Sequence, residues 1–154
     1  MWKGPRIRSI AAAILVAASA YGCGAEPESP EAEIRSWLES AEAAAEARDR
    51  GALLDLVSDA YADGRGNDKK HIGDMLRVYF FRQQNVSLLT RVEELRLEGA
   101  TAAHVSLFVG MAGRTNTALG LRADAYNFEL ELASEGGDWR LIGARWGDIG
   151  GELR

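Results

Sequence analysis

The sequence predicts an α+β domain over residues 31–148, with three N-terminal helices packed on a strongly bent antiparallel sheet of four or more strands. Three observations predict it. Apolar residues recur every three to four positions as far as Gln84, and every two positions from Val86 onward. Helices first and strands afterwards is the order of an α+β domain; regular alternation of the two would point to a parallel sheet. The bend comes from a phase switch. Val86, Leu88 and Val92 share one phase of the alternation, whereas Leu95 and Leu97 share the other. A switch inside one strand requires an extra residue, here at Glu93-Glu94.

The elements follow in order. Ser29-Pro30-Glu31 reads as an N-cap, a first-turn proline and a first-turn acid. Ile34, Trp37, Leu38, Ala41 and Ala45 then carry a helix to about Ala47. Asp49 caps a shorter helix containing Leu53, Leu54, Leu56 and Val57. Asp63-Gly64-Arg65-Gly66-Asn67 is a loop. Asn67 or Asp68 opens a third helix, with Ile72, Met75, Leu76, Tyr79 and Phe80 on one face. The bent first strand ends at the turn Glu98-Gly99-Ala100-Thr101. Ala103, Val105, Leu107, Val109 and Met111 form the apolar face of the second strand. Residues 113–120 are a loop. Asp124, Tyr126, Phe128, Leu130 and Leu132 line one face of the third strand, and Ser134–Asp138 makes a hairpin turn. Residues 139–146 form the fourth strand, with two inward sets open. Either Trp146 joins Ile142 and Ala144, or Arg145 joins Leu141 and Trp139, beside Asp124 as partner. Residues 149–154 read as a loose tail. The expected core includes Trp37, Leu38, Leu54, Leu76, Phe80, Val105, Leu107, Phe128, Leu130 and Leu141.

This order resembles the nuclear transport factor 2-like superfamily, the cone shared by ketosteroid isomerases, scytalone dehydratase and SnoaL-like cyclases. The resemblance covers residues 30–148. It rests on the acid-rich first helix, on Arg48-Asp49-Arg50-Gly51-Ala52-Leu53-Leu54 leading to Ser58-Asp59-Ala60-Tyr61, on Tyr79-Phe80-Phe81, and on the hairpin Gly137-Asp138-Trp139-Arg140-Leu141-Ile142. It implies a cavity at the open end of the cone. It does not specify an activity, because this fold carries enzymes, binding modules and dimerisation domains alike.

A second resemblance lies at the N-terminus. Lys3, Arg6 and Arg8 precede an apolar run over residues 10–20, and Ala20-Tyr21-Gly22-Cys23 follows, with an acidic, proline-containing spacer after it. This is the build of an export signal. Small Gly22 before Cys23, the only cysteine in the chain, is similar to the lipobox of bacterial lipoproteins. The resemblance implies cleavage between Gly22 and Cys23 and acylation of Cys23. It divides the chain into a signal peptide 1–22, an acidic tether 23–30, the domain 31–148 and the tail 149–154. It places the protein in the bacterial cell envelope, held by membrane lipid, with Gly24 fitting sorting to the outer membrane, facing the periplasm.

Cleavage would leave the chain at −8, because residues 1–22 hold three basic residues and no acid. That charge opposes nucleic acid and anionic surfaces. Two histidines at unrelated positions and one cysteine give no zinc-ligand spacing, and no nucleotide-binding or serine-nucleophile motif is present, so no metal, cofactor or catalytic residue is assigned. The superfamily's enzymes use a carboxylate base with a phenol donor. The matching residue types here are Tyr79, Asp124 and Tyr126, and with Arg145 and Trp146 at the end of the last strand they form the candidate pocket. The leading expectation is a non-catalytic module that binds a small apolar ligand or assembles with a partner. The competing one is an acid–base enzyme. A homodimer through the sheet face of His104, Ser106 and Phe108 is a third.

Overall fold

The computed structural model describes residues 28–115 and 121–154; Gly22 and Cys23, and with them the cleavage and acylation expectations, lie outside the described residues. Three helices, α1 (Pro30–Glu46), α2 (Arg50–Asp55) and α3 (Lys69–Arg82), precede four strands, β1 (Gln83–Glu98), β2 (Ala102–Thr115), β3 (Leu121–Glu135) and β4 (Asp138–Asp148). The caps are those the sequence offers. Ser29, Asp49 and Asp68 accept from the backbone N–H of Ala32, Ala52 and His71, each satisfying a donor with no helical partner. Asp68, not Asn67, opens α3. No described helix is long and apolar enough to cross a membrane.

The strands form one antiparallel meander in the order β1-β2-β3-β4. The expected bulge is present: Val92 pairs with Leu107 and Glu94 with Ser106, so Glu93 is the extra residue. A second bulge answers the open question in β4. Glu131 pairs with Gly143 and Leu132 with Leu141, which makes Ile142 the extra residue. Trp139 and Leu141 therefore face inward before the bulge, and Ala144 and Trp146 face inward after it. Both apolar sets thus turn inward except for Ile142, the bulged residue itself. Arg145 goes to the outer face, exposed and paired with Glu129, which corrects its assignment to the pocket and its pairing with Asp124.

The helices cover the inner face of the sheet, with α1 against β1 and β4 and α3 against β1. Ile34, Val105 and Leu132 are fully buried between the layers. Of the expected core, Trp37, Leu38, Val105, Leu107 and Leu130 are buried; Leu54, Leu76, Phe80, Phe128 and Leu141 are only half-buried. Four of those five, all but Leu54, face an internal cavity, so part of their surface meets open space.

The sheet's two edges are handled differently. Leu88 N–H at the β1 edge donates to the Glu46 carboxylate (2.8 Å), and the carbonyl of Gln83 accepts from Arg48 (2.6 Å). Residues 56–62 run along the β4 edge through the bonds Leu141 N–H to Leu56, Ser58 N–H to Leu141, and Ala62 N–H to Ile142. The last residues, expected to be loose, return to that edge. Trp146 and Arg154 exchange backbone hydrogen bonds, and Arg65 binds both carbonyls while its guanidinium lies 4.4 Å over the Trp146 ring.

Asp63 organises the loop that carries Arg65. Its carboxylate accepts from the Arg65 and Asn67 N–H groups, the Asn67 amide and the Tyr61 hydroxyl. Burial opposes the Asp63 charge, but the bonds from Asn67, Arg65 and Tyr61 outweigh it and hold the carboxyl below the ordinary carboxylate range. Burial, reinforced by the Asp63 charge, pushes the Tyr61 phenol up. A lowered carboxyl stabilises the fold above the unfolded-state value and loses that contribution as pH falls through the folded value. A raised phenol stabilises it below about pH 10 and loses that contribution above it. Tyr61→Phe is therefore expected to cost about 1 kcal/mol at neutral pH and to flatten the loss of stability above about pH 10. Urea unfolding at several pH values measures it; an unchanged alkaline limb would remove Tyr61 as its source.

Candidate functional site

The cavity between the helices and the inner face of the sheet has a volume of about 360 Å³. Every helix and strand contributes to its wall. The slim Ala41 and Ala45 leave room beneath α1. Ile72, Leu76 and Tyr79 of α3 stand across from them, and Leu107, Val109, Met111 and Phe128 form the sheet side. Polar atoms supply almost none of the wall surface, and the polar side chains that reach it are Glu42, Tyr79 and Thr90. Among the described residues Glu42 is the one carboxylate of the wall, and neither histidine lines it. The Tyr79 hydroxyl donates to the Met111 sulfur at 3.7 Å.

Of the five residues the sequence groups as a pocket, only Tyr79 lines this cavity. Asp124 pairs across the sheet with Met111, the residue the Tyr79 hydroxyl touches, so the two stand at the same end of the inner face without sharing the wall. Tyr126 packs edge-on against Phe128 with ring centroids 6.3 Å apart. Trp146 stacks on Phe128 at the same centroid distance and turns its other side to Arg65. An aromatic row, Tyr126–Phe128–Trp146, thus borders the cavity, and Phe128 alone enters it. Arg145 lies on the opposite side of the sheet.

The sequence reading missed Glu42 and Thr90. Both were legible: Glu42 follows Leu38 by one helical turn, and Thr90 falls in phase between Leu88 and Val92. Elsewhere the histidines sit in local contacts, His71 with Asp68 (2.7 Å) and His104 with Glu98 (3.4 Å). Among the described residues no group of three or more His, Cys, Asp or Glu side chains is placed to hold a metal ion.

Comparison with known proteins places this fold. No family model and no curated protein sequence matches the chain. Solved structures do. A ketosteroid isomerase-like protein from Erwinia carotovora atroseptica superposes with a TM-score of 0.64 at 15% identity, covering 77% of this chain and 95% of that one. A nuclear transport factor 2-like superfamily protein from Salmonella enterica serovar Typhimurium gives 0.66 at 11%, covering 77% and 90%. A hexachlorocyclohexane dehydrochlorinase from Novosphingobium barchaimii gives 0.65 at 14%, covering 80% and 88%. The domain therefore has the nuclear transport factor 2-like fold. That fold carries a dehydrochlorinase among these neighbours, so chemistry has to be argued from the cavity itself.

Proposed function

We propose that this chain is a lipid-anchored envelope protein whose domain, residues 31–148, holds a small apolar ligand without transforming it. The observation that carries the binding reading is the cavity wall. At about 360 Å³ it falls in the range of small-molecule sites. Its surface is almost entirely hydrocarbon, so it selects apolar shape over polar groups. Acid–base chemistry needs a base and a donor aimed at one substrate atom. Among the described residues Glu42 is the only carboxylate in the wall, the Tyr79 phenol there is turned to the Met111 sulfur, and Asp124, the base expected from sequence, is outside the wall. This favours binding over the competing isomerase or cyclase reading. In this reading the sheet bends around the ligand as a cone, with the bulges at Glu93 and Ile142 as its corners.

The binding half is tested on the purified full chain with N-phenyl-1-naphthylamine, an apolar dye that brightens out of water. Saturable brightening with one site per chain is expected. Absent or non-saturating brightening would reject an apolar-ligand cavity. The anchor half rests on Gly22, Cys23 and the signal-like segment before them. Intact mass of protein extracted from membranes is expected to begin at Cys23 with acyl chains attached. A mature terminus elsewhere, or an unmodified Cys23, would remove the anchor and leave the cavity reading standing.

A further inference from the structure

We propose that the outer face of α3 is a contact surface for anionic phospholipid bilayers. The inference stands on this helix alone and needs neither the acylation of Cys23 nor a ligand in the cavity. Helix α3 is apolar on two sides. Ile72, Leu76, Tyr79 and Phe80 face the cavity. On the other side Phe81 is 83% exposed, Val78 47% and Met75 42%. One apolar stripe is all a helix needs to pack on its own domain. The second stripe, spaced by three residues, is left exposed by the described residues.

What surrounds the stripe selects its partner. Lys70, Arg77 and Arg82 are exposed on the same helix, and Arg48 reaches its C-terminal end through a 2.6 Å bond to the Gln83 carbonyl. Asp74 is the acid among them, shared between Lys70 (3.2 Å) and Arg77 (3.3 Å). Cations outnumber acids on this face in a chain whose net charge is −5. The excess is present in the sequence of α3 itself, and the fold adds Arg48 at the end of the helix. Cationic side chains flanking an exposed phenylalanine suit a surface with anionic phosphates above and hydrocarbon just beneath, which is the membrane interface. Nucleic acid offers the phosphates without a hydrocarbon layer for Phe81, Val78 and Met75.

The test reads α3 separately from any binding by residues 1–27. In full-length protein carrying Cys23→Ser, a polarity-sensitive fluorophore is attached through Phe81→Cys in one sample and through Glu129→Cys, on the outer sheet face, in another. Each is mixed with vesicles of phosphatidylcholine alone and of phosphatidylcholine with phosphatidylglycerol. The label at 81 is expected to shift to the blue only with phosphatidylglycerol and to revert in high salt, while the label at 129 does not move. Arg77→Glu with Arg82→Glu is expected to weaken the response about tenfold or more, since each basic residue near an anionic surface is worth about fivefold. A circular dichroism melt confirms that this variant keeps its fold. Equal shifts with both lipids, equal shifts at both positions, or a response indifferent to charge reversal in folded protein would each overturn the proposal.

Discussion

Ala41→Trp is expected to abolish uptake of the apolar dye while leaving the fold intact. Ala41 lies on the inner side of α1 and forms part of the cavity wall. An indole there projects into the existing space of about 360 Å³ instead of into packed side chains, so the overpacking cost of a filled core does not apply. Helix propensity changes little between the two residues compared with the packing gained. Dye affinity should fall tenfold or more, equivalent to at least about 1.4 kcal/mol. The melting temperature should hold or rise, because a void has been filled. Glu39→Trp, exposed on the same helix, is the control that should bind as the parent does. A folded Ala41→Trp protein that binds the dye unchanged would put the site elsewhere.

Leu132→Ala is expected to cost about 2–5 kcal/mol in urea unfolding. Leu132 is fully buried on β3, opposite Ala103 of β2 and Leu141 of β4. Removing its methyl groups opens a hole in a layer that strand pairing holds in place. Phe128→Ala makes the useful comparison. A fully buried phenylalanine costs about 3–5 kcal/mol to truncate, but Phe128 already faces the cavity on one side and should fall below that range. A Leu132→Ala change within about 0.5 kcal/mol, the size of a surface substitution, would place β3 in the other register.

The contrast between these two residues also explains what the sequence could tell. Alternation along β3 put Leu132 and Phe128 on the same face, and that is correct. Alternation cannot say that the layer above one of them stands off, because a cavity is a property of three elements at once. The same holds for the caps and the first bulge, which are local and were legible, against the second bulge, which was not. Residues 139–146 carry two apolar sets of opposite phase, and pairing with β3 accommodates both by making Ile142 the extra residue. Arg145 was misplaced for that reason. Asp124 was placed on the right strand face, yet it stands beside Met111 at the end of the sheet, beyond the cavity wall. Glu42 lay in plain helical phase with Leu38.

The treatment of the two sheet edges has a consequence for how many copies can crowd together. An open edge strand offers a row of N–H and C=O groups on which another chain can add itself as a further strand, the first step toward fibrous aggregates. Here β4 offers no such row where residues 56–62 and the returning C-terminus occupy it. β1 is blocked at its start by Glu46 and Arg48. Farther along it carries Arg91, Glu93, Glu94, Arg96 and Glu98, with the bulge breaking its regular spacing. Charge and irregularity do for that half what hydrogen-bond capping does for the other. Copies of this domain concentrated side by side on one surface would thus meet through side chains, without polymerising strand upon strand.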